Sequence, residues 1–106
     1  MDDPRLKSAQ TMLARWQYVS AVVHEVTSSH QTLFLRLFRD YNSAFLEIRL
    51  GVIFFKGPFR WQNACISVRQ VPSPDGSFRL VCYDEAASFE VMADSLEVAE
   101  YPKWKP

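Results

Sequence analysis

Three glycines in 106 residues are too few for a phosphate-cradling loop, and neither a P-loop nor a GxGxxG run occurs. Cysteine is almost as scarce. Cys65 and Cys82 are the two present, each inside an apparent strand and neither in a CxxC or CxxH arrangement. Such thiols are expected to be reduced in a cytoplasmic protein, although consecutive strands would also let them meet as a disulfide. Two histidines, His24 and His30, flank a polar turn, and no HExxH, EF-hand or zinc-ribbon spacing surrounds them. No metal and no cofactor is expected. Neither cysteine carries a nucleophile signature with a base beside it, and Asp84-Glu85 reads as a strand end rather than a catalytic carboxylate pair. The expectation is a protein that is not an enzyme. No apolar run approaches a bilayer's thickness, and the start MDDPRLKSAQ lacks the basic and apolar regions of a signal peptide.

Net charge is also missing: twelve cations balance twelve anions. The balance is uneven along the chain. Residues 1–82 hold ten Lys/Arg against six Asp/Glu, and residues 83–106 hold two against six. The plain reading is an acidic C-terminal segment folded back on a more basic sheet. A charge-polarised surface for a charged partner is the functional one. Neutrality counts against nucleic-acid binding, where a basic surplus is usual.

What is present is apolar and aromatic. Hydrophobic residues make up 48% and aromatics 14%, enough for one core in a single domain. Asp3 and Pro4 suit a helix start, and Leu6, Ala9, Met12 or Leu13, and Trp16 recur at helical spacing, which predicts a helix over 4–16. Strand-like segments follow at 18–26, 32–39, 43–50, 52–55, 64–71, 77–84, 88–94 and 96–101, with helix as the competing reading for 18–26 and 85–99. In 32–39, Leu33, Leu35 and Leu37 point one way and Phe34, Arg36 and Phe38 the other. PSPDGS, 72–77, is the strongest turn signal and makes 64–83 a hairpin. The fold class is α+β, mainly β: an N-terminal helix, then a meandering antiparallel sheet rolled into a sandwich or partial barrel, ending in a short proline-terminated tail over 102–106.

GVIFFKGPFRW, 51–61, packs four aromatics, two cations, two glycines and a proline into eleven residues. Val52 to Phe55 read as a buried strand, and Lys56-Gly57-Pro58 as a turn. Trp and Arg are the residue types that most often carry interface energy. Phe59, Arg60 and Trp61 are therefore the candidate partner-binding residues, with His30 and Tyr41 on neighbouring turns. The expected partner is another protein, or a second copy through an exposed sheet edge. The alternative is single-stranded nucleic acid on an OB-like or open sheet surface, through Arg36, Lys56 and Arg60 among aromatics. KGPFRW resembles part of the RRM motif, but Pro58 replaces an aromatic and the βαββαβ order is absent.

LFLRLFRDYNSAFLEIRLGVIFF, 33–55, resembles a pattern found in small bacterial all-β domains, some of them immunity proteins of toxin systems. The likeness covers about a quarter of the chain and consists of strand alternation, a short turn and an apolar step with a glycine. It implies a bacterial, non-catalytic binding module, and it transfers no functional residue.

Overall fold

A computed structural model describes residues 4–27, 31–40 and 44–102. The helix α1 (Pro4–Ala14) is followed by seven strands: β1 (Val19–Thr27), β2 (Thr32–Phe38), β3 (Phe45–Lys56), β4 (Arg60–Ala64), β5 (Ser67–Pro72), β6 (Phe78–Asp84) and β7 (Phe89–Tyr101). A single 3-10 turn, Glu85–Ala87, separates β6 from β7. Helix therefore loses to strand over 18–26 and, beyond the 3-10 turn, over the rest of 85–99. β-Branched content decides 18–26. Over 88–101 it is pairing with β3 on one side and β6 on the other that overrides the Ala/Glu-rich composition.

All pairings are antiparallel, in the order β4-β1-β2-β3-β7-β6-β5. The meander runs unbroken from β1 to β3. The chain then leaves β3 through Gly57-Pro58, and β4 is laid beside β1. Strands β4 and β5 thus end the sheet on opposite sides, yet only Cys65 and Ile66 separate them in sequence. A flat sheet cannot satisfy both facts. The sheet curls into a half-barrel whose two edges converge at this link.

The interior follows from strand alternation. Leu33, Leu35 and Leu37 on β2 face Leu50, Ile48 and Leu46 on β3, and all six are fully buried. Each contributes about 1.5–3 kcal/mol by leaving water. The opposite face carries Arg36 and Glu47, opposite each other in register and 2.9 Å apart, with only 15% of each side chain exposed. The apolar stripe of α1, Leu6, Ala9 and Leu13, together with Trp16 beyond its end, joins this core. The helix stops at Ala14, two residues short of the expected end, as Arg15 and Trp16 tighten into i→i+3 turns.

Two expected strands, 43–50 and 52–55, are one strand with register shifts after Gly51 and Val52. A Cβ on Gly51 would meet the side-chain ends of Asp94 and Ser95, which would have to turn aside where β3 bends against β7. The long 64–71 strand is in fact divided: Cys65 and Ile66 form the link, and the hairpin's first strand starts at Ser67. Its turn is as expected, with Ser77 donating to the Asp75 carboxyl and holding it down at about 2, well below the usual carboxylate range.

Both sheet edges are guarded. On the outer edge of β5, Gln10 Nε2 donates to Val68 O at 2.9 Å, and just before the strand Gln17 Nε2 donates to Ile66 O at 3.2 Å. Edge strand β4 is bulged: three steps from Ala64 to Trp61 match two from Val19 to Ala21, and Asn63 takes a left-handed φ of 56°. Covered carbonyls and bulges both discourage edge-to-edge pairing.

The turn after β3 depends on Gly57. Its φ is +128°, and a Cβ there would lie 2.7 Å from Phe89 Cα and 2.9 Å from Ser88 O. Gly76, at φ +89°, has open space around it. Gly57→Ala is expected to cost about 3 kcal/mol, from backbone strain plus overlap, against about 1 kcal/mol for Gly76→Ala. Urea unfolding midpoints of the two variants measure the difference.

Candidate functional site

The residues of 51–61 converge with β7 in an aromatic cluster. The register shift between Val52 and Phe54 turns Phe55 inward, opposite Val91, and leaves Phe54 exposed, and the turn at Gly57 returns Phe59 and Trp61 towards Phe55. Phe55 lies 5.6 Å from Phe59 and 5.7 Å, edge-on, from Phe89, while Trp61 packs at a tilt on Phe89, 4.6 Å between ring centroids. Beside the cluster sits Asp84, a charged-type residue only 3% exposed. Its Oδ2 accepts the Trp61 indole N–H at 2.8 Å and the Cys65 backbone N–H at 3.0 Å. One oxygen at the end of β6 thus holds both β4 and the β4–β5 link. No buried side-chain nitrogen or oxygen lacks a partner among the described residues.

Trp61 is accordingly half-buried and structural on its indole side. Phe59 differs. Its carbonyl accepts the Val23 N–H at 2.7 Å and its ring rests against Phe55, yet the residue is 62% exposed. Arg60 is exposed on β4, opposite Val22, and has no ion-pair partner among the described residues. The structure therefore brings Phe59, Arg60 and Trp61 together at one corner, with the first two facing solvent. His30 and Tyr41 lie outside the described residues.

The cations of the nucleic-acid alternative differ in their engagement. Arg60 and Arg36 share a row across β1 on the outer face. Arg36 is bonded to Glu47 and lies 4.7 Å over the Phe45 ring. Lys56 stands opposite Glu90 at the end of β3, across the Gly57-Pro58 turn from Arg60. The acidic C-terminal segment lies within the sheet as β7 rather than folded back on it; Glu97 pairs with Arg49 on β3 at 3.8 Å, and Glu100 with Arg15, just beyond α1, at 3.1 Å.

Both thiols are free. Cys82 is fully buried opposite Val68 and Val91, and burial pushes its thiol up to about 12. Among the described residues no three His, Cys, Asp or Glu side chains gather at metal-binding distance, and no helix is long and apolar enough to cross a membrane.

Sequence reasoning missed the role of Asp84. Its signal was present: in FRLVCYD the alternation puts Asp84 on the same inward face as Cys82 and Leu80. Phe89 gave no comparable signal, because its contacts to Phe55 and Trp61 are set by tertiary pairing.

Comparison with known proteins returns no matching family model, no matching curated protein and no matching solved structure.

Removing the Asp84 carboxyl orphans two donors, each costing about 1–3 kcal/mol. Asp84→Ala is expected to lose about 3 kcal/mol or more, and Asp84→Asn, which keeps one acceptor oxygen, about half as much. Equilibrium unfolding followed by tryptophan fluorescence gives both values.

Proposed function

We propose that the protein is a non-catalytic interaction module that contacts another protein through the Phe59–Arg60 corner. The observation that carries this reading is an exposed aromatic ring on a fixed support. Phe59 is held by a backbone bond to Val23, a ring contact to Phe55 and the constrained turn at Gly57, so presenting it costs little further ordering on binding. An aromatic side chain beside an unpaired arginine has the composition of an interface hot spot. The guarded edges of β4 and β5 favour a different partner chain over self-pairing. The engagement of Arg36 with Glu47, and the position of Lys56 opposite Glu90, favour protein contact over single-stranded nucleic acid. A bacterial, cytoplasmic role of the immunity or inhibitor type rests on the strand pattern of 33–55.

The test is affinity capture from native lysate with the wild-type chain, Phe59→Ala and Arg60→Ala in parallel, washed at high salt. Both side chains are exposed, so the variants should unfold within about 1 kcal/mol of wild type. A stoichiometric protein retained by wild type and weakened about 30-fold by Phe59→Ala is the expected result, matching a hot-spot loss of about 2 kcal/mol. A partner held equally by all three chains would remove the corner from the site. A nucleic acid that washes off with salt would replace the reading altogether.

A further inference from the structure

A second surface, away from Phe59, has the chemistry of a ligand groove. It runs along the seam between α1 and β5, encloses about 460 Å3, and is bounded by Gln10, Ala14 and Gln17 on one wall and Ser67, Arg69 and Tyr83 on the other. Leu13, Ile66 and Val68 lie beneath.

Three features define what it would hold. First, the seam is joined by glutamine side chains rather than by a paired strand. Gln10 and Gln17 spend Nε2 donors on Val68 O, Ile66 O and Leu13 O, and their Oε1 atoms accept nothing among the described residues. Two amide oxygens beside one groove suit the N–H groups of an extended peptide. Second, Arg69 lies 5.1 Å over the Tyr83 ring and has no ion-pair partner among the described residues, so a planar guanidinium is held in place with its donors unspent. Third, within the groove itself no carboxylate is found, and neither Pro4–Ala14 nor Ser67–Pro72 contains Asp or Glu; Glu85 and Glu90 line the adjoining pocket that Arg69 and Tyr83 also border, together with Lys56. Charge complementarity therefore selects an anionic occupant.

We infer that the α1–β5 groove binds an extended, acidic peptide segment of a partner protein, its carboxylate on Arg69 and its backbone N–H groups on Gln10 and Gln17. This site is separate from the Phe59–Arg60 corner and stands or falls independently of it.

A random heptapeptide phage library panned against the full chain, with Arg69→Ala as the counter-screen, tests the assignment. Arg69 is exposed, so the variant keeps the fold, which its amide NMR spectrum checks. The expected result is enriched clones carrying Asp or Glu that bind Arg69→Ala about tenfold more weakly, and whose synthetic peptides shift the Gln10 and Gln17 side-chain amide signals on titration. Changing the peptide's acidic residue to its amide should cause the same loss. No enrichment, clones without an acidic residue, or binding indifferent to Arg69→Ala would overturn the inference. Clones lost on Phe59→Ala but retained on Arg69→Ala would also overturn it, by assigning peptide binding to the other corner.

Discussion

Everything at the open side of this half-barrel depends on one carboxyl oxygen. The sheet's last strands, β4 and β5, are consecutive in sequence and have no strand between them to close the wall. Asp84 spans that seam by accepting from the Trp61 indole and from the Cys65 amide. Without an acceptor there, two donors would lose their hydrogen bonds inside a largely apolar seam, and the link would have to open to water. The tilted contact of Trp61 on Phe89 adds packing, but it does not satisfy the N–H groups. The N-terminal segment completes the closure: Gln10 of α1 covers a β5 carbonyl, Gln17 beyond the helix covers the Ile66 carbonyl of the link, and Trp16 donates to Glu100.

This closure also places the two candidate surfaces. Fixing Trp61 inward sets the direction of β4, and with it the outward display of Phe59 and Arg60 on the preceding residues. Fixing Cys65 and Ile66 sets the start of β5, and hence the seam against α1 where Arg69 and the two glutamines gather. One anchor thus positions two separate faces on opposite sides of the same link. A rigid scaffold carrying exposed aromatic and cationic side chains is suited to recognition, and recognition is the reading offered for both faces.

The sequence conveyed the elements whose rules are local. Alternation in TLFLRLF identified the inward leucines, PSPDGS identified its hairpin, and Pro4 with the spaced apolar residues identified the helix. It conveyed less where pairing decides. Val52–Phe55 looked like a separate strand because Gly51 interrupts the pattern, whereas β7 pairs with β3 across the bend and keeps it continuous. Cys65 and Ile66 looked like strand because their residue types favour it, and the curl of the sheet makes them a link instead. The candidate corner was legible as a composition of Phe, Arg and Trp. The sequence allowed either Phe59 or Trp61 to pin the loop onto the core; that Trp61 bonds inward is decided by a partner twenty-three residues away on β6.

The central claim is that the Asp84 bonds close the seam in the native state. Hydrogen exchange of the Trp61 indole N–H and the Cys65 amide, followed by NMR, measures this directly. The account predicts that both exchange as slowly as the amides of the buried strands β2 and β3, opening only with global unfolding. Exchange of either proton at rates typical of exposed loops, while β2 and β3 stay protected, would contradict it.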